Sequence, residues 1–134
     1  MAPFNAELAR HLSIAALFDR DVHIRRAASA AFQEIVGRLG ILPHGIDVLR
    51  SMDFFAVGQR RSAFLVAAPA VARHDEYRAG LHRHLLDAGV GVRHWDPAMR
   101  ELAAQSLRLV VAVDVVALLE PSVDELVRCD VQRD

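Results

Sequence analysis

The chain has 134 residues, 53% of them hydrophobic and 25% charged, which is ample apolar content for the core of one domain. Sixteen basic residues against seventeen acidic ones leave a net charge of -1, and that excludes the usual electrostatic case for nucleic acid or an anionic membrane surface. A single cysteine, Cys129, excludes an internal disulfide and any multi-thiolate metal site, and fits a reducing compartment.

In chain order, the spacing predicts an outer helix over 5–19 with Leu8, Leu12, Ala15 and Ala16 on one face, then an inner helix from 22 to 37 that Gly37 and Gly40 end. A second pair begins after Pro43, which fits an N-terminal helical position, and carries Ile46, Val48, Leu49 and Met52. Its inner helix, 60–72, meets Pro69, which predicts a kink or an early stop. A third pair places Tyr77, Leu81, Leu85 and Ala88 at helical spacing over 76–88, stops at Gly89 and Gly91, and turns through Val92, Arg93, His94 and Trp95 into a helix after Asp96. A fourth pair starts near Pro121 and is incomplete at Arg128.

Two of the inner helices repeat each other. The stretch 21–35 matches 96–110: each opens with Asp and places Arg four residues on (Asp21 and Arg25, Asp96 and Arg100), followed by small or apolar residues at 24, 27, 28, 31, 32, 35 and at 99, 102, 103, 106, 107, 110. The copies lie 75 residues apart, twice the period of HEAT-type helical pairs, and a weaker third copy lies around Arg61. Asp at the start caps the first-turn amides, and the Arg one turn on is expected to pair with that Asp or with the Asp of a neighbouring repeat. The expected fold is all-α, a HEAT or armadillo-type α-solenoid. It forms a single segment over 1–134, with repeats at 5–38, 43–73 and 75–113 and part of a fourth at 114–134. No polar cap marks either end, so the chain reads as a piece of a longer solenoid.

Chemistry is sparse. His82 and His84 are two apart and point to different sides of a helix; His74-Asp75-Glu76 offers one ligand, but no second cluster with ligand spacing occurs, so all of these read as solvated helix surface. No phosphate loop, nucleophile elbow or thiol pair occurs, and neither a catalytic residue, a metal nor a cofactor is expected. The apolar run from Leu109 to Leu119 is broken by Asp114 and is about half the ~20 residues that a membrane span needs; the N-terminus lacks the pattern of a secretory signal. A soluble protein of the cytosol or nucleus is expected. Phe18, Phe32, Phe64 and Tyr77 read as core, and Trp95 as a hydrophobic staple against Met99 or its neighbours. Phe54 and Phe55 cannot share one helix face, which leaves a packed loop or a partner contact. The candidate contact edge comprises His44 and Asp47 together with Phe54, Phe55 and Gln59.

The blocks Arg25–Glu34, Val36-Gly37-Arg38, Pro43-His44-Gly45-Ile46-Asp47 and Asp53-Phe54-Phe55-Ala56-Val57-Gly58, with His94-Trp95-Asp96 and Arg100–Ala104, occur in an order and spacing that resembles the tubulin-folding cofactor D family over residues 20–108. The sequence departs from it at Ala67-Ala68-Pro69-Ala70 and from Leu109 onward. The resemblance implies a chaperone rather than an enzyme. It also implies a central HEAT-repeat region, β-tubulin as partner, cooperation with folding cofactors E and C in assembling the α/β heterodimer, and association with an Arf-like small GTPase. GTPase activation would belong to the assembly, and the location would be cytoplasmic and close to microtubules. The alternative is a generic HEAT-repeat scaffold with another partner.

Overall fold

Residues 2–87 and 91–133 are described by a computed structural model, and all of the regular structure among them is helical. Helix α1 (Ala2–Phe18) and helix α2 (Val22–Leu39) form an antiparallel pair joined by a short turn. Asp21 caps α2, its carboxylate accepting the His23 amide at 2.8 Å, and Gly40 ends it at φ 60°, a left-handed conformation that glycine adopts without a Cβ clash. Gly37, read as a stop, lies inside the helix. Helix α3 (Gly45–Ser51) is only seven residues long. Pro43 precedes α3 rather than opening it, and its carbonyl accepts the Tyr77 hydroxyl at 2.6 Å.

Helix α4 covers 60–71 without a break. Neither the kink nor the early stop expected at Pro69 is needed, because the stretch Ala63–Ala67 is wound as a π-helix, with the Ala68 amide bonded to the Ala63 carbonyl five residues back. One widened turn before the proline gives its ring room and absorbs the missing amide proton. Helix α5 (Asp75–Leu86) and helix α6 (Pro97–Arg133) form the last pair. Ala88 and Gly89, expected to finish α5, lie outside the described residues.

The new helix expected at Pro121 does not form. Helix α6 runs on for 37 residues with that proline inside it. Leu118, Leu119 and Glu120 are exposed, so water can serve the carbonyl that the proline leaves without a donor. By length and composition α6 is long and apolar enough to cross a membrane, which the interruption at Asp114 does not prevent. Its first half is built into the protein: Met99, Leu102, Ala103, Ser106 and Val110 are all buried.

Helices α1 and α5 run side by side, α2 and α6 pack on them, and α4 lies against both α1 and α6. This is the paired-helix layering of an α-solenoid. The core residues expected from the aromatic pattern are in place: Phe18 meets Phe64 edge-on at 5.1 Å, and Phe32 packs beside Tyr77 at 6.5 Å between centroids. The repeat stripe holds for α6 but is rotated on α2, where Arg25, Ala28, Ser29 and Phe32 are buried while Ile24, Ala27 and Ala31 face out. The polar pair turns inward because the loop after α3 brings it acceptors. The Ser29 hydroxyl donates to the Met52 carbonyl at 2.8 Å, and Arg25 serves the next turn.

Candidate partner-contact edge

The starts of α2, α4 and α6 lie together, and arginines hold them there. Arg25 is 3% exposed, and its Nε donates to the Val57 carbonyl at 2.8 Å, its Nη1 to the carbonyls of Asp19 at 2.9 Å and Arg20 at 3.1 Å, and its Nη2 to Gly58 at 3.3 Å. The expected pairing with Asp21 is thus replaced by a clamp on four backbone carbonyls. A planar guanidinium with five donors matches such a cluster, whereas a carboxylate offers it only one partner. Burial, seconded by Arg60, pulls the Arg25 pKa below the usual guanidinium value, while Asp19 and Asp21 oppose that shift.

The same device recurs at α6. Asp96 caps it by accepting the Ala98 amide at 3.0 Å, and Arg100 Nη1 donates to the carbonyls of His94 at 3.1 Å and Trp95 at 3.3 Å. These carbonyls are six and five residues back, the same offsets that Arg25 uses on Asp19 and Arg20. The sequence repeat therefore records a clamp on the entering turn, not an ion pair. A further arginine in this register was missed: Arg78, four residues after the α5 cap residue His74, donates to the Ala72 carbonyl at 3.2 Å. Arg61, the weak third copy, is exposed, and its neighbour Arg60 is the one that reaches across, donating to the Arg20 carbonyl at 3.2 Å.

Arg20 completes the junction. Its Nε donates to the Asp96 carboxylate at 3.0 Å, and its guanidinium lies 5.1 Å from the Trp95 ring centre. The Arg20 hydrogen bond, with the Ala98 amide second, holds the Asp96 carboxyl below the usual carboxylate range. Trp95 is 72% exposed, so the staple against the buried Met99 is not made; the cation above the ring holds it at the surface instead. Phe54 is half-exposed with Arg26 4.6 Å over its ring, and Phe55, edge-on to it at 6.0 Å, is 85% exposed. The packed-loop reading of these rings fails. Gln59, the residue before α4, is exposed.

His44 and Asp47 are not part of this edge. The α3 segment runs back along α2 from Gly45, which sits on Val36, to Met52 at Ser29, and Gly58 reaches Arg25. Val36 and Arg25 are eleven positions apart on α2, about 16 Å at the helical rise. His44, in a left-handed conformation at φ 48°, instead stacks on His74 at 4.5 Å and pairs with Glu76 at 3.1 Å, and Asp47 is exposed at the start of α3.

Among the described residues, no group of three or more His, Cys, Asp or Glu is placed to hold a metal ion. His84, read as solvated surface, is instead stacked on Phe18 at 5.3 Å with the rings 7° from parallel. Burial lowers its pKa from 6.5, against the pull of Asp87 and Asp19. The unfolded chain therefore takes up this proton first as pH falls. The stability contribution is complete above about pH 6.5 and is lost as pH drops toward the folded-state value. Urea unfolding at pH 7.5 and 5.5 is expected to show a smaller pH-dependent loss in His84→Phe than in the parent chain; equal losses would remove His84 as a source.

The family model described as "Tubulin-specific chaperone D-like, ARM repeats" matches residues 1–46. A tubulin-specific chaperone D of Dictyostelium discoideum is 34% identical over 116 residues, covering 85% of this chain and 8% of that protein. A tubulin-folding cofactor D of Schizosaccharomyces pombe is 29% identical over 92 residues, 69% of this chain and 8% of its own length. The chain thus spans 8% of the length of each of these curated relatives. No solved structure matches. The matched blocks take in the α1–α2 pair and most of the helical array, and the chain belongs to the tubulin-specific chaperone D family.

Proposed function

We propose that this chain is a tubulin-binding chaperone segment, a non-catalytic helical surface that holds β-tubulin while the α/β heterodimer is assembled. The observation that carries this reading is the likeness over 85% of the chain to a protein named as a tubulin-specific chaperone. The three helix pairs α1/α2, α3/α4 and α5/α6 are its repeat units. An array of this kind offers a large partner an extended surface and needs no pocket chemistry. Folding cofactors E and C and an Arf-like small GTPase are the further partners, GTPase stimulation is a property of the assembly, and the site of action is the cytoplasm near microtubules.

The test is a pull-down from eukaryotic cytosolic extract with the purified chain as bait, against an unrelated HEAT-repeat segment. Enrichment of β-tubulin several-fold over that control is expected. Phe55→Ala is expected to reduce the capture with no change in helicity by circular dichroism, since the ring is exposed. Equal tubulin recovery on both baits sinks the reading.

A further inference from the structure

We propose that the edge where α2, α4 and α6 begin docks an acidic segment that carries a large apolar side chain. This deepens the proposed function by naming the chemistry of the partner at that edge, and it rests on that reading only for the edge being a contact surface. Three large rings stand out of the protein there: Phe54, Phe55 and Trp95. Phe55 stands edge-on to Phe54, while Phe54 under Arg26 and Trp95 under Arg20 are held by their neighbours. They are pre-positioned, so little conformational entropy remains to be lost when an apolar group settles on them.

The charge around these rings is arranged asymmetrically. Asp19, Asp21, Asp53 and Asp96 lie in the same turns, and each carboxylate already accepts a backbone amide, from Asp21, His23, Ala56 and Ala98 respectively. Asp96 accepts Arg20 as well. The arginines are committed differently. Arg25 is buried on carbonyls, and Arg60 donates one bond to a carbonyl. Arg61 is exposed six residues after Phe55. Arg26 covers Phe54 with its guanidinium, its Nε buried and without a hydrogen-bond partner, so that only the outer end of the fork is open to a docking group. Carbonyls and rings satisfy these cations only in part, and a carboxylate is the partner that a guanidinium takes most strongly. Six arginines (Arg20, Arg25, Arg26, Arg60, Arg61 and Arg100) stand at these helix starts against the four aspartates, so a basic segment would meet a surplus of positive charge and be repelled. A purely apolar one would leave Arg26, Arg60 and Arg61 desolvated and unpaired. An acidic segment with an apolar anchor fits both the rings and the cations.

The experiment titrates the purified chain into a fluorescein-labelled, glutamate-rich peptide with one central leucine and follows anisotropy. Its comparison peptides replace glutamate by lysine, or leucine by serine. The glutamate-leucine peptide is expected to bind, and both replacements to weaken it. Arg61→Glu and Phe55→Ser, both at exposed positions, are expected to weaken it about tenfold each while circular dichroism stays that of the parent. Added salt is expected to weaken binding in the parent more than in Arg61→Glu. No binding to helical, monomeric protein, or binding that is indifferent to both substitutions, overturns the proposal. The two readings separate cleanly. Tubulin capture without peptide binding rejects the acidic-segment edge alone, and peptide binding without tubulin capture supports the edge while rejecting the tubulin reading.

Discussion

Arg25→Ala is expected to cost about 3 kcal/mol of folding stability, which for a domain of this size corresponds to a fall in Tm of roughly 10 °C. The side chain is buried, and its removal leaves the carbonyls of Asp19, Arg20, Val57 and Gly58 without their shared donor. Those carbonyls belong to two separate turns, so the loss loosens the α1–α2 connection and the entry to α4 together. Arg25→Lys keeps a charge but not the planar fork, and it is expected to recover less than half of the loss. Arg100→Ala removes the same device in its exposed form, with two carbonyls instead of four, and is expected to cost about 1 kcal/mol. Urea unfolding of the three variants checks the order. Equal costs for Arg25→Ala and Arg100→Ala would show that the clamp across the two turns contributes nothing beyond a local cap.

Phe32→Ala is the second large effect, about 3–5 kcal/mol. Phe32 of α2 is fully buried beside the Tyr77 ring of α5. Tyr77 is fixed in turn by its hydroxyl on the Pro43 carbonyl, and burial raises the phenol pKa, with Glu76 adding to it. With one ring held from both sides, the cavity left by Phe32 has little room to collapse, which places the cost toward the upper end. Phe32→Leu, which fills most of the volume, is expected to lose about 1–2 kcal/mol. Thermal unfolding of both variants gives the comparison. A loss below about 1 kcal/mol for Phe32→Ala would mean that α2 and α5 close on the gap and that this contact is not a fixed point of the array.

The helical class, the Asp21 and Asp96 starts and the aromatic core were legible because each depends on residues close in sequence. The facing of α2 was not. A stripe read from apolar residues alone points Ile24 and Ala27 inward, yet acceptors at Met52, Val57 and Gly58 draw Ser29 and Arg25 into that position from more than twenty residues away. Pro69 misled for a related reason. Its effect depends on the winding of the turn before it, and the π segment over Ala63–Ala67 carries no sequence mark as strong as the proline itself. At the candidate edge, the sequence singled out Phe55 but joined it to His44, because neighbours along the chain stand in for neighbours in space only until a helix such as α3 carries the chain away. The place of Trp95 before a helix cap points it inward. Arg20, 75 residues earlier, keeps it out.

The shortness of α3 reaches beyond its own repeat. With seven residues it does not separate the first pair from the third, so α1 lies directly on α5, and Arg20 binds Asp96 across 76 positions of sequence. In an ordinary repeat array each unit touches only its neighbours, and one end can fray while the other stays folded. Here the first and third pairs share a contact, and the second is clamped to the first by Arg25. Loosening any one of them exposes surface on the other two. These helices should therefore melt in one cooperative transition rather than unit by unit, and a substitution at either end of the bundle should be felt as amide exchange at the far end.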